Sequence, residues 1–290
     1  MPCGGYLLEQ AHSSKWRGYK GHAKYLCVAH LPDMEEYYRQ NTPFLKTAQE
    51  ILATLKNALI NKTTLSLIRY GDGEAMVLDG IKNPDVMSRV FKRQLSMVSF
   101  EDGLKIRENL VLALAQADIL GIPYGKKMNE PESYWFRAQS ILAANVPVMD
   151  KVTCSIDIHY DLLDEMWQLF ELTPRIYYIR CRDLRDRMQN KYGKEVKAYH
   201  IAPEAAFTTY EGPRHYPDQF VKIESWMDKQ DLSGCLCLVG GGIVGKTYCN
   251  WFRDRGGIAI DMGSVFDQWA GYVTRGPERA RDKRTNEGNI

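Results

Sequence analysis

The segment LSLIRYGDGE carries the residue types and the spacing best suited to chemistry in this chain. An apolar run typical of a strand leads to Arg69, and two carboxylates, Asp72 and Glu74, follow two residues apart. In an extended backbone, the side chains of residues i and i+2 point to the same side. This spacing therefore predicts that both carboxylates bind one hard cation. Gly71 and Gly73 let the backbone turn and let a ligand come close. The arrangement suits a metal held against a diphosphate.

A second candidate site is the glycine-rich stretch VGGGIVGKT at residues 239–247. It matches both the GxxxxGKT pattern of a P-loop and the GxGxxG pattern of a dinucleotide-binding turn. In either case, a glycine turn that opens a helix presents backbone N–H groups and a positive dipole end to phosphate. We expect phosphate contacts from Gly241, Gly242 and Gly245, with Lys246 adding a charge. The alternative is that these glycines only allow a helix to pack closely on a strand.

A third block, GGIAIDMGSVFDQWAG at residues 256–271, combines small residues with two acids and an aromatic residue. Asp261 follows a short apolar run, so we expect it at the end of a strand, facing a crevice. Ser264 is expected to cap a helix that carries Asp267 and Trp269. The alternative interpretation is a capped helix whose tryptophan belongs to the core.

The positioning of these blocks follows from alternating strand and helix patterns, which begin near Phe44. Apolar runs predict strands at 65–70, 119–123, 146–149, 175–180, 196–201, 235–239 and 258–260. Helical spacing predicts helices at 51–61, 85–98, 103–117, 133–144, 162–170, 184–192 and 216–229, and one that starts near Ile243. This alternation predicts an α/β fold whose mainly parallel sheet has helices on both faces. Such sheets bind ligands beyond the carboxyl ends of their strands.

Composition indicates a globular protein, with 44% hydrophobic and 26% charged residues in a chain of 290. The longest apolar run is interrupted by Gln116 and Asp118, so no transmembrane segment is expected. A net charge of +2 is too small to indicate nucleic-acid binding. Seven cysteines without a CxxC pair indicate reduced thiols rather than zinc ligands. With no signal-peptide layout at the N-terminus, we expect a cytoplasmic protein.

We expect one globular domain over residues 41–276. A weakly structured extension precedes it at residues 1–40, and a flexible, charged tail follows at 277–290. The extension has a basic first part, so contact with an acidic partner or a membrane surface is its alternative role.

The order of the three blocks, RYGDGE early and GGGIVGK and GGIAIDMGSVFDQWAG late, resembles the GT-D-fold glycosyltransferases. That family was first described as a bacterial domain of unknown function. The resemblance runs from about Leu65 to Arg275 and implies a Rossmann-like domain that binds a UDP-sugar. It implies hexosyl transfer to a glycan or glycoprotein acceptor. The family's DxE motif falls on Asp72 and Glu74, which would hold Mn²⁺ or Mg²⁺ against the diphosphate.

Glycosyl transfer has two further needs that this chain can meet. Arg69 and the amides of the glycine loop are candidates to stabilise the leaving UDP. If configuration is inverted, a base must take the acceptor's proton. Asp267 and Asp261 are the first candidates, because they fall in the block that resembles the family; Glu204 and His215 are the others.

Two alternative functions stay open at this point. One is a P-loop phosphotransferase or ATPase, and the other is a nucleotide-sugar-binding protein without turnover.

Two other groups of polar residues have an interpretation that is mainly structural. Asp157, His159 and Asp161 would share one side of an extended segment, as metal ligands do, although Asp161 also suits the start of a helix. The segment from Arg180 to Arg187 alternates four arginines with two aspartates, which favours a salt-bridged exposed face.

Overall fold

The sheet at the centre of the molecule has eight strands, all of whose pairings are parallel. A computed structural model describes residues 45–80, 84–95, 98–123, 134–146, 151–205 and 210–271. The strands are β1 (Leu45–Lys46), β2 (Leu65–Arg69), β3 (Ile119–Ile122), β4 (Val152–Ser155), β5 (Arg175–Ile179), β6 (Glu195–Tyr199), β7 (Leu236–Val239) and β8 (Ile258–Asp261). Their order in the sheet is β1-β4-β3-β2-β8-β7-β5-β6. The predicted α/β fold is thereby confirmed.

Eleven α-helices occur in the described residues. They are α1 (Ala48–Asn61), α2 (Asp72–Asp79), α3 (Pro84–Leu95), α4 (Phe100–Gln116), α5 (Tyr134–Asn145), α6 (Ile158–Asp161), α7 (Met166–Leu172), α8 (Arg185–Tyr192), α9 (Phe220–Met227), α10 (Gly242–Asp254) and α11 (Val265–Trp269). A 3₁₀ turn at Leu163–Glu165 precedes α7, and a π turn at His215–Gln219 precedes α9. None of the described helices is long and apolar enough to cross a bilayer.

Most predicted elements are found close to their predicted positions, and the differences are local. The strand predicted at 146–149 lies largely outside the described residues, and the strand of this region is β4. The helix α2 was not predicted at all. The predicted extension at 1–40 and tail at 277–290 lie outside the described residues, so these two domain boundaries stay predictions.

Local sequence signals explain where α1 begins and ends. Thr47 accepts a hydrogen bond from the backbone of Glu50, and the Glu50 carboxylate accepts one from the backbone of Thr47. This reciprocal pair satisfies two donors that a helix start leaves unpaired. The helix ends at Lys62, which adopts a left-handed conformation with φ of 53°. The face between these ends buries Ile51, Leu55, Ala58 and Leu59 against the sheet.

The strands separate two apolar layers because successive side chains point to opposite faces of a sheet. On β2, Ile68 belongs to one layer, which it shares with α2, α3, α4, α5, α9 and α10. Leu67 belongs to the other layer, together with α1, α6, α7, α8 and α11. Helices therefore cover both faces, as the near-continuous apolar strands predict.

A crevice lies at the carboxyl edge of the sheet, where the connections after neighbouring strands turn toward opposite faces. After β2 and β7 the chain passes into α2 and α10, which lie on one face. After β8, which lies between β2 and β7, it passes into α11 on the other face. Connections that leave in opposite directions leave a gap between them, and open α/β sheets bind ligands in such a gap.

Candidate functional site at the carboxyl edge of the sheet

The predicted DGE segment does not continue as an extended chain. Gly71 precedes α2, and Asp72 and Glu74 both lie in the first turn of that helix. Residues two apart on a helix point in very different directions, so the expectation that these carboxylates share one side is wrong. Asp72 is exposed, whereas Glu74 is buried. Acidic residues favour a helix N-terminus, which is the signal that the sequence offered for α2.

Glu74 caps the N-terminus of α2 and contacts the neighbouring helix α10. Its Oε2 accepts a hydrogen bond of 2.9 Å from the backbone N–H of Gly71. Its Oε1 lies 3.3 Å from Nζ of Lys246, which comes from α10. Both oxygens of Glu74 thus have donors within the protein.

Lys246 lies between two carboxylates. Its ammonium group donates to Oδ2 of Asp261 at the end of β8 and also faces Glu74. The lysine is 3% exposed. Burial acts to lower the pKa of Lys246, but the charges of Asp261 and Glu74 outweigh it and raise the pKa above its ordinary value. Lys246 is therefore a buried ammonium that joins α10, β8 and α2.

Both carboxylate oxygens of Asp261 accept hydrogen bonds. Besides Lys246, its donors are the backbone N–H of Arg69 at 3.2 Å and the backbone N–H of Gly263 at 3.1 Å. The Arg69 guanidinium adds a contact of 3.5 Å from Nη2. Burial alone would raise the pKa of Asp261, yet the charges of Arg69 and Lys246 hold it below its ordinary value. This carboxylate is a fixed anion at the end of β8.

Arg69, a predicted phosphate contact, has most of its donors engaged within the protein. Its Nε donates to the carbonyl of Asp261 at 2.9 Å, and its Nη1 donates to the carbonyl of Ile156 at 3.3 Å. Nη1 also lies 3.0 Å from Nδ1 of His159. Its side chain is 13% exposed, so little of it is left for a ligand.

The set of Asp157, His159 and Asp161 is not brought together as the extended pattern suggests. The last two residues belong to the short helix α6, and Asp157 precedes it. Both aspartates are exposed, whereas His159 is buried beside Arg69. The structural interpretation of this segment is the one that the geometry favours.

Asp267, a predicted base, is held by two arginines. Its Oδ2 accepts a hydrogen bond of 2.6 Å from Nη2 of Arg180, and its Oδ1 accepts one of 3.1 Å from Nε of Arg182. Arg180 and Asp267 are both almost fully buried. Nη1 of Arg180 also donates to the carbonyl of Gly240 at 2.7 Å, which ties the glycine loop to this cluster.

The exposed face predicted for the arginine-rich segment is confirmed from Arg185 to Arg187 but is wrong for Arg180 and Arg182. Arg180 is buried and Arg182 is half-buried, and both contact an acid 85 to 87 residues away. Arg185 makes the expected local pair, with Asp183 at 3.3 Å. Sequence analysis missed the arginine pair because no local pattern reveals so distant a partner. The only signal was the position of Arg180 directly after the apolar run of β5.

The glycine loop after β7 brings the start of α10 to the crevice. Gly240 and Gly241 form the turn, and the helix begins at Gly242, which has φ of +58°. A Cβ at Gly241 would lie 2.9 Å from the Cα of Gly245, and one at Gly245 would lie 3.1 Å from Val239. Gly245 therefore serves close helix–strand packing, while the first turn of α10 faces the edge of the sheet.

This geometry argues against a P-loop. In a P-loop, a long loop wraps the phosphates and its lysine reaches them from the start of the helix. Here residues 242–247 are already helical, and Lys246 is buried against Asp261. A dinucleotide site is no better supported, because Asp261 has no oxygen left to receive a ribose hydroxyl.

The helices α2 and α10 begin side by side. A Cβ at Gly73 would lie 3.8 Å from Cδ1 of Ile243 and 3.3 Å from Nε2 of Gln94. Oε1 of Gln94, near the end of α3, accepts a hydrogen bond of 3.2 Å from the backbone N–H of Ile243. The positive ends of two helix dipoles thus meet at one place on the carboxyl edge. Such a place suits an anionic group.

Comparison with known proteins identifies the family. The family model of the GT-D fold-like domain matches residues 46–269, so the chain belongs to that family. A structure described as a new glycosyltransferase (DUF1792) from Streptococcus sanguinis has a similar fold, with a TM-score of 0.51 and 14% identity. The match covers 79% of this chain and 85% of that one.

A second structure, described as a domain of unknown function 1792, gives a TM-score of 0.47 at 16% identity, over 84% of this chain and 92% of that chain. No curated protein sequence matches this chain. The match to the family model confirms the predicted GT-D fold.

Replacing Lys246 with methionine should destabilise the protein strongly. The substitution keeps most of the side-chain volume but leaves two buried carboxylates, Glu74 and Asp261, without their shared cation. Breaking a buried pair in this way costs about 3–5 kcal/mol. Denaturant unfolding measures the loss. The matched control, methionine at the exposed Lys222, should stay within about 0.5 kcal/mol of the parent protein. Equal stability of the two variants would contradict the proposed role of Lys246.

His215 should make the protein sensitive to acid. Burial, with a contribution from the charge of Arg180, lowers its pKa to about 3, and its Nε2 lies 2.9 Å from the Tyr248 hydroxyl. Between the ordinary value near 6.5 and about 3, the unfolded chain binds a proton that the folded chain does not. Stability therefore falls as pH decreases through this window, by up to about 1.4 kcal/mol per pH unit from this residue. Unfolding measured from pH 7 to pH 4 should show a shallower slope in His215→Gln. An unchanged slope would refute the assignment.

Proposed function

We propose that this protein is a glycosyltransferase that moves a sugar from a nucleoside diphosphate sugar to a hydroxyl of a glycan or glycoprotein. The donor that we propose is a UDP-sugar. The observation that carries the proposal is the crevice at the carboxyl edge, where α2 and α10 begin side by side, in a chain of the GT-D fold family. Transfer needs a site that binds a diphosphate and stabilises the negative charge it gains on leaving.

The anion-binding groups come from two strand ends. The backbone of Gly241 and Gly242 opens α10, whose 13 residues give it a full dipole at that end. Arg182, with a quarter of its side chain exposed, shares Asp267 with Arg180. Arg180 in turn donates to the carbonyl of Gly240 in the glycine loop. These are the groups to which we assign the donor diphosphate.

Asp72 is the residue that fits a divalent cation. It is exposed at the start of α2, next to the start of α10, whereas Glu74 already has donors on both oxygens. The described residues contain no group of three or more His, Cys, Asp or Glu that could hold a metal by themselves. Mg²⁺ in nucleotide sites is commonly held by one or two carboxylates together with substrate phosphates. We therefore assign Mn²⁺ or Mg²⁺ to Asp72 and the diphosphate, where the cation would neutralise the leaving group.

We assign positioning roles to Asp261 and Asp267, rather than the role of the general base that takes the acceptor's proton. Asp261 keeps Arg69 and Lys246 in place, and Asp267 orients the two arginines. A carboxylate that is held by several cationic or backbone donors is a poor proton acceptor, because those bonds stabilise its charged form.

Binding of UDP should depend on Arg182. Removing a charge-assisted contact with phosphate costs about 1.5–3 kcal/mol, so Arg182→Ala should weaken UDP binding by roughly 10- to 100-fold. Titration calorimetry with UDP, and with ATP for comparison, measures this. Arg185→Ala, an exposed arginine of the same segment, should bind UDP like the parent protein. Preference for ATP over UDP, or equal UDP affinity in the two variants, would count against the donor site.

Turnover is tested with a panel of UDP-hexoses, by following the release of UDP. Release from at least one of them is the expected result. Binding of a UDP-sugar with no release and no transfer would instead support a binding protein without turnover. No binding of any UDP-sugar would overturn the proposal.

The two acids of the DGE segment should behave differently. Asp72→Asn should abolish the increase in UDP affinity on adding Mn²⁺ while the free energy of unfolding changes by less than about 0.5 kcal/mol. Glu74→Gln should keep that increase but lower the free energy of unfolding by about 1–3 kcal/mol, because Lys246 loses one partner. Calorimetry with and without Mn²⁺, together with denaturant unfolding, separates the two effects. Loss of the Mn²⁺ effect in a fully stable Glu74→Gln variant would contradict the assignment to Asp72.

A further inference from the structure

The side chain of Gln94 lies between the starts of α2 and α10. Gln94 belongs to the last turn of α3, where its neighbours Phe91 and Leu95 are buried in the core. Gln94 itself is half-buried, and it lines a cleft of about 270 Å³ beside the glycine loop, part of which is open to solvent. The core therefore holds the backbone of Gln94 in place while its carboxamide reaches the crevice.

The orientation of this carboxamide is fixed at its oxygen. Oε1 of Gln94 accepts a hydrogen bond of 3.2 Å from the backbone N–H of Ile243, in the first turn of α10. A backbone N–H can only donate, so the carboxamide oxygen must face α10 and the nitrogen must face away from it. The same oxygen leaves no room for a side chain at Gly242, where a Cβ would lie 2.7 Å from Oε1.

The carboxamide nitrogen faces the start of α2. A Cβ at Gly73 would lie 3.3 Å from Nε2 of Gln94. This nitrogen carries two N–H groups, and within the described ranges no residue accepts a hydrogen bond from them. Gly73 is half-buried and Asp72 before it is exposed, so the start of α2 has surface that a ligand can reach. Hydrogen-bond donors of Gln94 thus lie next to the residue to which we assign the cation.

We propose that Gln94 binds the donor diphosphate and that the diphosphate spans the two helix starts. The inference rests on the proposed function and adds to it the residue between the two parts of the site. One phosphate contacts the backbone of Gly241 and Gly242 and the guanidinium of Arg182. The second phosphate accepts a hydrogen bond from Nε2 of Gln94 and contacts the cation on Asp72. A hydrogen bond from a carboxamide to a charged phosphate is stronger than one between neutral groups.

The placement of the carboxamide favours a ligand with two anionic groups. Its oxygen lies against α10 and its nitrogen lies against α2, so it separates the two positive helix ends. An anion that uses both ends must therefore extend past the carboxamide. A diphosphate has two charged groups at such a separation, whereas a monophosphate has one. Gln94 should thus contribute to a preference for UDP over UMP.

The test is titration calorimetry of Gln94→Glu with UDP and with UMP. Glutamate keeps the length of the side chain and an acceptor for the N–H of Ile243, but it replaces the donor with a carboxylate oxygen. UDP affinity should fall at least about tenfold, since a hydrogen bond to a charged group is lost. The preference for UDP over UMP should fall at least fivefold. Divalent cations are left out, so that the new carboxylate cannot recruit one.

Two further variants separate a phosphate contact from a role in the fold. Gln94→Met adds no charge and should also lower the preference for UDP over UMP. The control is Gln49→Glu, at an exposed glutamine in the first turn of α1, which gains the same charge and should keep both affinities. The midpoint of denaturant unfolding of Gln94→Glu should equal or exceed that of the parent protein, because a negative charge suits a helix start.

Unchanged UDP affinity in Gln94→Glu would overturn this inference while leaving the proposed donor site intact. Equal losses of UDP and UMP affinity, together with a lower unfolding midpoint, would also overturn it, since Gln94 would then only support the fold. Failure of the parent protein to bind UDP would instead defeat the proposed function itself.

Discussion

The ammonium group of Lys246 lies between the carboxylates of Asp261 and Glu74 at the centre of the carboxyl edge. A buried charge is tolerated only when opposite charges and hydrogen bonds compensate it, so each of these residues constrains the others. Through them, the second turn of α10, the end of β8 and the first turn of α2 are fixed relative to one another. The two helix starts that face the crevice owe their relative placement to this contact.

A second buried ion cluster lies on the other side of the glycine loop. Asp267 joins Arg180 and Arg182, and Arg180 also holds the carbonyl of Gly240. The loop is thus fixed from both sides by ionic contacts that lie beneath the surface of the crevice. Fixed dipoles stabilise developing charge without having to reorient during a reaction, and this is the property that glycosyl transfer needs. Three of the predicted carboxylates, Glu74, Asp261 and Asp267, are therefore buried supports of the crevice rather than part of its surface.

The sequence was informative where the determinants are local. Apolar runs and the glycines that follow them predicted the strands and the carboxyl edge, because strand burial and turn formation act over a few residues. The conformation of Asp72 and Glu74 was predicted wrongly, since spacing alone does not distinguish a strand end from a first helical turn. The pairing of Arg180 with Asp267, 87 residues apart, depends on how the sheet places β5, β7 and β8 side by side, and no local pattern contains that information.

The most direct test of the account is a crystal structure of the complex with UDP and Mn²⁺. The account predicts that the diphosphate contacts the backbone of Gly241 and Gly242 and the guanidinium of Arg182, with Mn²⁺ on Asp72. Lys246 should keep its contacts with Asp261 and Glu74 in the complex. A diphosphate bound at another edge of the sheet, or one held directly by the Lys246 ammonium, would contradict it.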